Sequence, residues 1–375
     1  MIDPSPIQLE VQATARRLAA ELLAPQAAVI DASEAFPADN LRTLAREGLF
    51  GVKLDPRFGG LGAGAVGYAL AVRELAAGCA ATTVVTMVAN MVGEAISLWG
   101  DEAQKAHFLP RLTRGEWASA GFSLSEPGSG SDAASLTTKA VRDGDHYVLD
   151  GTKAWVTGGG HAGIYLVMAR TDPNEKSKGI SAFLVEAGTP GLTAGKPEDK
   201  LGLRASSTTQ LILEGCRVPV ENRLGPEGIG FRIAMTALDG GRIGVSAQAS
   251  GIATAAQEVA TRHARQHPHD VEARQRVAES EAELRAGFGL VLHAAGLKDQ
   301  KKPYTREAAM AKLYCTELAG RVCQRTLRML GLEGQGRGTP VERLARHARI
   351  TRIYEGTNEV QRIVIARELL SARAS

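Results

Sequence analysis

The chain has few cysteines: Cys79, Cys216, Cys315 and Cys323 are scattered and form no C-x-x-C pair. That pattern excludes a disulfide framework and suits small buried thiols in a reducing compartment. An excess of one charge is also missing. The 44 Lys and Arg residues face 41 Asp and Glu, a net charge of +3, which excludes a binder driven by a polybasic or polyacidic tail. No run of charge-free apolar residues reaches the length of a membrane span. The opening MIDPSPIQLE has acids and prolines where a secretory signal has a basic start and an apolar run. The closing LLSARAS carries no prenylation or peroxisomal tripeptide. These absences lead us to expect a cytoplasmic protein with no membrane and no nucleic acid among its partners. What is present is ordinary globular material: 375 residues, 44% hydrophobic and 23% charged, enough for two or three domains with a large core.

The hydrophobic period changes twice along the chain. Residues 1–115 read as a helical domain, with Ile7, Val11, Leu18 and Leu22 on one face of a first helix and Pro37 to Gly48 bounding another. The runs AVGYALAVRELAAG and TTVVTMVANMVGEAISLWG are apolar nearly all round and predict two buried helices. Asp101 is placed to cap the next. Residues 116–227 carry short stretches rich in β-branched and aromatic residues, separated by turns such as Asp143-Gly144 and Asp150-Gly151. With no helices between them, they predict an antiparallel sandwich or barrel and exclude a Rossmann unit there. From 228 to 375 long helical periods return, predicting a bundle. The expected fold class is α+β, ordered helical, β, helical bundle.

Several local patterns could carry chemistry. The loop SEPGSGSD (Ser125 to Asp132) has glycines and hydroxyls suited to an anion nest, although such a loop is usually only a turn. Trp155 and Thr157 lie two apart in KAWVTG, so in a regular strand both face one way and could meet a planar polar ligand. A packed sheet-face aromatic is the plainer reading. Glu355 sits in ARITRIYEGTNEVQR, where a helix breaks at Gly356 and Thr357 or Asn358 can cap the next. Flanked by Ile353 and Tyr354, its carboxylate could be desolvated into a base; an exposed helix-end Glu is the alternative. Asp239 and Arg242, one turn apart, make an ion pair or hold a ligand tail. His263, His267, His269 and Asp270 have spacing that permits metal ligation, but Pro268 breaks their helix and no second cluster supports them, so no metal is expected. The C-terminal arginines, interleaved with apolar residues, read as a solvated or ion-paired helix face on which some members could meet phosphate.

Taken in order, SEPGSGSD, KAWVTGGG, LGLRASST, LDGGRIG and IYEGTNEVQR across a helical–β–helical chain resemble the acyl-CoA dehydrogenase family over nearly the whole length. LDGGRIGVSAQASGIA, KPYTREAAMAKL and ARITRIYEGTNEVQRIVIA look most like its short-chain, butyryl-type members. The resemblance implies FAD as cofactor and α,β-dehydrogenation of a short acyl-CoA. Glu355 would be the α-proton base, and its backbone N–H would polarise the thioester carbonyl. Phe122, Leu124, Ser125, Ser131, Trp155 and Thr157 would line the flavin and its phosphates, and Thr357 and Glu359 its adenosine part. Asp239, Arg242 and Gly356 would contact substrate. Some relatives take the base from the LDGGRIG helix; here that position is Gly241, which leaves Glu355. The resemblance also implies an electron-transferring flavoprotein as partner and a homodimer or homotetramer.

Two departures fall on one locus. The family's Arg-x-x-Phe-Gly segment, which grips the flavin diphosphate and adenine from the neighbouring subunit, is missing from HARQHPHDVEARQRVAESEAEL. Matching the helical period makes the chain about five residues shorter there. The family's Gln before a Gly-Gly-x-Gly-Tyr loop is replaced by Arg328, followed by Gly331-Leu332-Glu333-Gly334-Gln335. Arg328 is thereby a candidate to supply the missing positive charge. Two further readings stay open: a dehydrogenase for carrier-protein thioesters, and a flavin-free acyl-CoA-binding homologue.

Overall fold

The computed structural model describes residues 3–371; the C-terminal tripeptide lies outside them. Helices α1 (Pro6–Leu18), α2 (Ala24–Ser33), α3 (Ala38–Arg46), α4 (Gly64–Trp99) and α5 (Glu102–Thr113) form the first segment, with a π turn joining α1 to α2. Asp101 caps α5 by accepting from the Gln104 N–H at 2.8 Å. The two apolar runs expected as buried helices lie on either side of Cys79 (φ −153°, ψ 102°), where α4 breaks. By length and composition α4 could cross a membrane, but 94% of its apolar window is buried inside the protein. It is the central core helix.

Strands β1 (Ala120–Ser123), β2 (Lys139–Asp143), β3 (His146–Thr157), β4 (Ile164–Arg170), β5 (Ile180–Glu186), β6 (Leu192–Ala194), β7 (Thr208–Pro219) and β8 (Arg223–Leu224) make the middle segment. Their order is β6-β7-β3-β2-β4-β5-β8, with β1 added beside β4. The expectation of an all-antiparallel arrangement needs correction: β1 pairs with β4 in parallel, Phe122 opposite Leu166. The chain enters β1 from α5 and reaches β4 only after the β2–β3 hairpin, and that crossover lets two strands run the same way without an intervening helix. One sheet face joins the main core; the other buries a separate cluster containing Tyr147, Val167 and Phe183.

The third segment holds α6 (Gly230–Gln266), α7 (Val271–Asp299), α8 (Thr305–Gln335), α9 (Pro340–Thr351) and α10 (Asn358–Ser371). Helix α6 is the hub, packed against α4, α7, α8 and α9. Two consecutive residues of α9 join all three segments. Arg346 bonds Asp31 of α2 at 2.6 Å and the Leu201 carbonyl of the middle segment at 3.1 Å. Beside it, the His347 Nδ1 accepts from the Leu203 N–H at 3.0 Å. Burial lowers the His347 pKa to about 4, so the ring is neutral and can accept.

Candidate active site

The break between α9 and α10 is made by two left-handed residues in succession, Glu355 (φ 57°) and Gly356 (φ 83°). Glycine takes that conformation freely; glutamate does not, so something must hold it. Three contacts do. Lys312, fully buried on α8, donates to the Gly356 carbonyl at 2.8 Å and to Asn358 Oδ1 at 2.9 Å. Gln361 donates to the same Gly356 carbonyl at 2.9 Å. Tyr354 hydrogen-bonds Gln248 of α6. Thr357, rather than Asn358, caps α10, its hydroxyl accepting from the Val360 N–H at 3.3 Å.

So clamped, the Glu355 side chain points inward, and its Oε2 is buried with no hydrogen-bond partner. It lies over bare helix: a Cβ added to Gly241 would stand 2.3 Å from that oxygen. Burial raises the Glu355 pKa to about 7, against the opposing pull of Arg242, Lys312 and Lys53. The sequence alternative of an exposed helix-end Glu is therefore excluded. The Glu355 backbone N–H has no acceptor among the described residues. A buried, unpaired carboxylate with a pKa near neutrality, beside a free N–H, is equipped to take a proton from a carbon next to a carbonyl.

Gly241 yields a direct test. Gly241→Ala puts a methyl group where Glu355 Oε2 sits, and the flexible carboxylate end must move. Turnover should fall about 100-fold from the misplaced base, with little loss of folding stability. Steady-state kinetics beside a thermal melt check this; undiminished turnover would show that the carboxylate has room elsewhere.

Asp239 and Arg242 are the ion pair of the plainer reading, 2.5 Å apart. Thr305 occupies the second Asp239 oxygen at 2.8 Å. Arg242 is buried with its Nε unpartnered, and its charge acts on Glu355. Trp155 departs from the expected strand geometry. A register shift between Lys153 and Val156 and a left-handed Trp155 (φ 60°) break the alternation, so Trp155 and Thr157 do not sit as regular same-face neighbours. Nor is the indole packed beneath a helix, since it is 63% exposed. Thr157 is half-buried at the end of β3.

The SEPGSGSD loop is held by a group the sequence reading missed. The buried Glu126 carboxylate accepts from Thr137 N–H and Oγ1 at 2.7 and 2.8 Å and from Thr138 N–H and Oγ1 at 2.9 and 2.5 Å. It also pairs with the fully buried Lys153 of β3 at 2.8 Å. These partners hold Glu126 at about 2, below the ordinary carboxylate range, despite its burial. The Ala154 N–H donates to the Ser125 carbonyl at 2.8 Å, bringing the loop beside Trp155. Ser131 is exposed at the loop tip, and a Cβ at Gly128 or Gly130 would meet nothing within 4 Å. Leu124 is buried, and Phe122 is packed partly against the core.

Family models for the N-terminal, middle and C-terminal domains of acyl-CoA dehydrogenases match residues 5–116, 121–216 and 228–370. The chain belongs to the acyl-CoA dehydrogenase family. The mitochondrial short-chain specific acyl-CoA dehydrogenase of Rattus norvegicus is 43% identical, covering 96% of this chain and 90% of the relative. Butyryl-CoA dehydrogenase from Megasphaera elsdenii superimposes with a TM-score of 0.96 at 37% identity, covering 99% of this chain and 100% of the other. A structure reported for the electron transferring flavoprotein of Acidaminococcus fermentans matches at 0.96 and 38%, covering 99% of each chain.

Acyl-CoA dehydrogenases are FAD-dependent, and the residues expected around the flavin ring offer groups of suitable chemistry. An unpacked indole, an open glycine-serine loop tip and a neighbouring threonine suit a planar ring followed by phosphate. Of the residues expected at the adenosine end, Thr357 already caps α10 through its hydroxyl, and Glu359 is exposed in the first turn of α10. Where an acyl-CoA dehydrogenase has its Arg-x-x-Phe-Gly segment, α6 ends at Gln266 and α7 starts at Val271, with Asp270 accepting from the Ala273 N–H at 2.9 Å. His263 and His267 stack on each other there, and no group of metal-ligating side chains is found among the described residues.

Proposed function

We propose that this chain introduces a trans α,β double bond into a short acyl-CoA, with Glu355 as the base. FAD, when bound, supplies the two-electron acceptor for the β-hydrogen. The buried Glu355 carboxylate takes the α-proton, and the free Glu355 N–H donates to the thioester oxygen, so that one residue both acidifies the carbon and removes its proton. Lys312 and Gln361 fix the turn that presents both groups. The Asp239–Arg242 pair orients the thioester arm. Trp155, Thr157, Ser125 and Ser131 bind the flavin side, with contributions from Phe122 and Leu124. The proposed electron acceptor is an electron-transferring flavoprotein, a role supported by the likeness to the Acidaminococcus fermentans structure. The proposed assembly is a homodimer or homotetramer.

The observation that carries this reading is the orphaned Glu355 oxygen against Gly241. Anaerobic addition of butyryl-CoA to the FAD-loaded protein should bleach the flavin absorbance. Bleaching only with a carrier-protein thioester would transfer the reaction to that substrate class, and none with either would refute dehydrogenation of short acyl chains. The bleaching rate should rise with pH and level off above about 7, because the protonated carboxyl cannot accept a proton and burial holds it protonated up to that pH. A rate independent of pH between 5 and 9 would remove Glu355 as the titrating base.

A further inference from the structure

A second set of buried charges stands beside Glu355 and has no part in the proton transfer. The consecutive residues Gly240 and Gly241 of α6 are each covered by a different group. A Cβ on Gly241 would meet the Glu355 carboxylate, and one on Gly240 would lie 2.6 Å from Lys298 Nζ and 3.3 Å from Glu94 Oε2. One turn further, a Cβ on Gly244 would lie 2.5 Å from the Tyr68 hydroxyl. The Lys53 ammonium sits 4.5 Å from the centre of the Tyr68 ring and hydrogen-bonds Glu94 Oε2. One bare face of α6 therefore brings the base, the Lys53–Glu94–Lys298 cluster and a phenol hydroxyl together.

Charge in this cluster does not balance. Lys298 donates to Glu94 Oε1 at 2.7 Å and also bonds Tyr304. Lys53, its side chain only 6% exposed, has Glu94 as its one hydrogen-bond partner among the described residues. Two ammoniums therefore share one carboxylate. Asp299 also acts on Lys53, but its oxygens are taken by the Ala65 and Val66 N–H groups at 2.6 and 3.1 Å, where they offset the positive end of α4. Arg242 is matched by Asp239, and Glu355 feels Arg242 and Lys312 ahead of Lys53. Burial pulls the Lys53 pKa down to about 8, as expected of an ammonium short of anions. None of Lys53, Glu94 and Lys298 lies in the motifs that carry the family resemblance.

We propose that the short acyl group this chain accepts ends in a carboxylate, which Lys53 binds. An acyl chain whose α-carbon meets Glu355 Oε2 and runs along this face of α6 brings its far end to the ammonium after a few carbons. A carboxylate there matches the two ammoniums with two anions and gains a charge-assisted hydrogen bond. The Tyr68 hydroxyl, buried and without a partner among the described residues, is a second donor to it. A methyl group in the same place would leave the ammonium desolvated and unmatched. The inference rests on the dehydrogenase reading above and narrows its substrate to half-thioesters of short dicarboxylic acids.

The test is calorimetric binding of glutaryl-CoA and valeryl-CoA, five-carbon thioesters that end in a carboxylate and a methyl, to the FAD-loaded Glu355→Gln protein, in which turnover is suppressed. Glutaryl-CoA should bind at least about tenfold more tightly. Adding Lys53→Met should abolish that preference. This change leaves Glu94 and Lys298 as a one-to-one pair, so the fold should survive it, and the ratio of the two ligands within each protein cancels any loss they share. Equal or weaker binding of glutaryl-CoA with Lys53 in place overturns the inference, and so does a preference that survives Lys53→Met. Failure of the dehydrogenase reading looks different: the wild-type flavin would then bleach with neither butyryl-CoA nor glutaryl-CoA, whatever the binding ratio.

Discussion

Glu355→Gln is expected to lower butyryl-CoA turnover by about 10⁴-fold while FAD binding is unchanged. The amide keeps the size of the side chain and the left-handed turn, so only the proton acceptor is lost. No nearby carboxylate can substitute. Glu94 is engaged on both oxygens, by Lys298 at 2.7 Å and by Lys53. Asp239 is engaged by Arg242 and Thr305. Position 241 is a glycine. Stopped-flow bleaching of the flavin isolates the chemical step from product release, and more than a hundredth of the wild-type rate would place the base elsewhere.

Lys153→Met should destabilise the protein by about 3–5 kcal/mol, because Glu126 is left as a buried charge without its counter-ion. The four hydrogen bonds from Thr137 and Thr138 remain, but they do not neutralise it. Adding Glu126→Gln in the same chain should recover much of the loss. The pH dependence follows from the Glu126 pKa being held down at about 2. Its stabilising contribution is full above the ordinary carboxylate pKa near 4.5 and disappears as pH falls towards 2, so wild type should lose stability in that window and the double variant should lose less. Urea midpoints across the window give both numbers; a single-variant loss below about 1 kcal/mol would mean that the pair is solvated in solution.

The parts of the site legible in the sequence are those made by neighbours along the chain. Gly356 and Thr357 announce a helix break and a cap through their own turn chemistry, and the structure has both. The order of periods gave helical, β and helical segments. What stayed hidden depends on distant partners. Glu126 and Lys153 are 27 residues apart, and Lys312 reaches the Gly356 carbonyl across 44. Nothing local in KAWVTG marks its lysine as buried, nor its tryptophan as the site of a bulge. A parallel β1–β4 pair is likewise a property of how the chain returns, not of either strand. Helices α8 and α9 form a cleft lined by Arg321, Arg325, Arg328, Arg349 and Arg352, visible in the sequence only as scattered arginines, because the spacing that aligns them on one helix says nothing of the second helix facing it.

The joint at Arg346 and His347 has a consequence for how the protein is made. Its partners, Asp31 and the loop at Leu201 to Leu203, leave the ribosome long before α9 does, and they wait with a carboxylate and a carbonyl unmet. The loop closed by Arg346 and Asp31 spans 315 residues, so it forms late, after most of the chain has already packed. The turn that carries Glu355 begins immediately after α9. A nascent chain can therefore form its first helices and its sheet while holding no proton acceptor, and competence for chemistry arrives in one step with α9 and the turn that follows it.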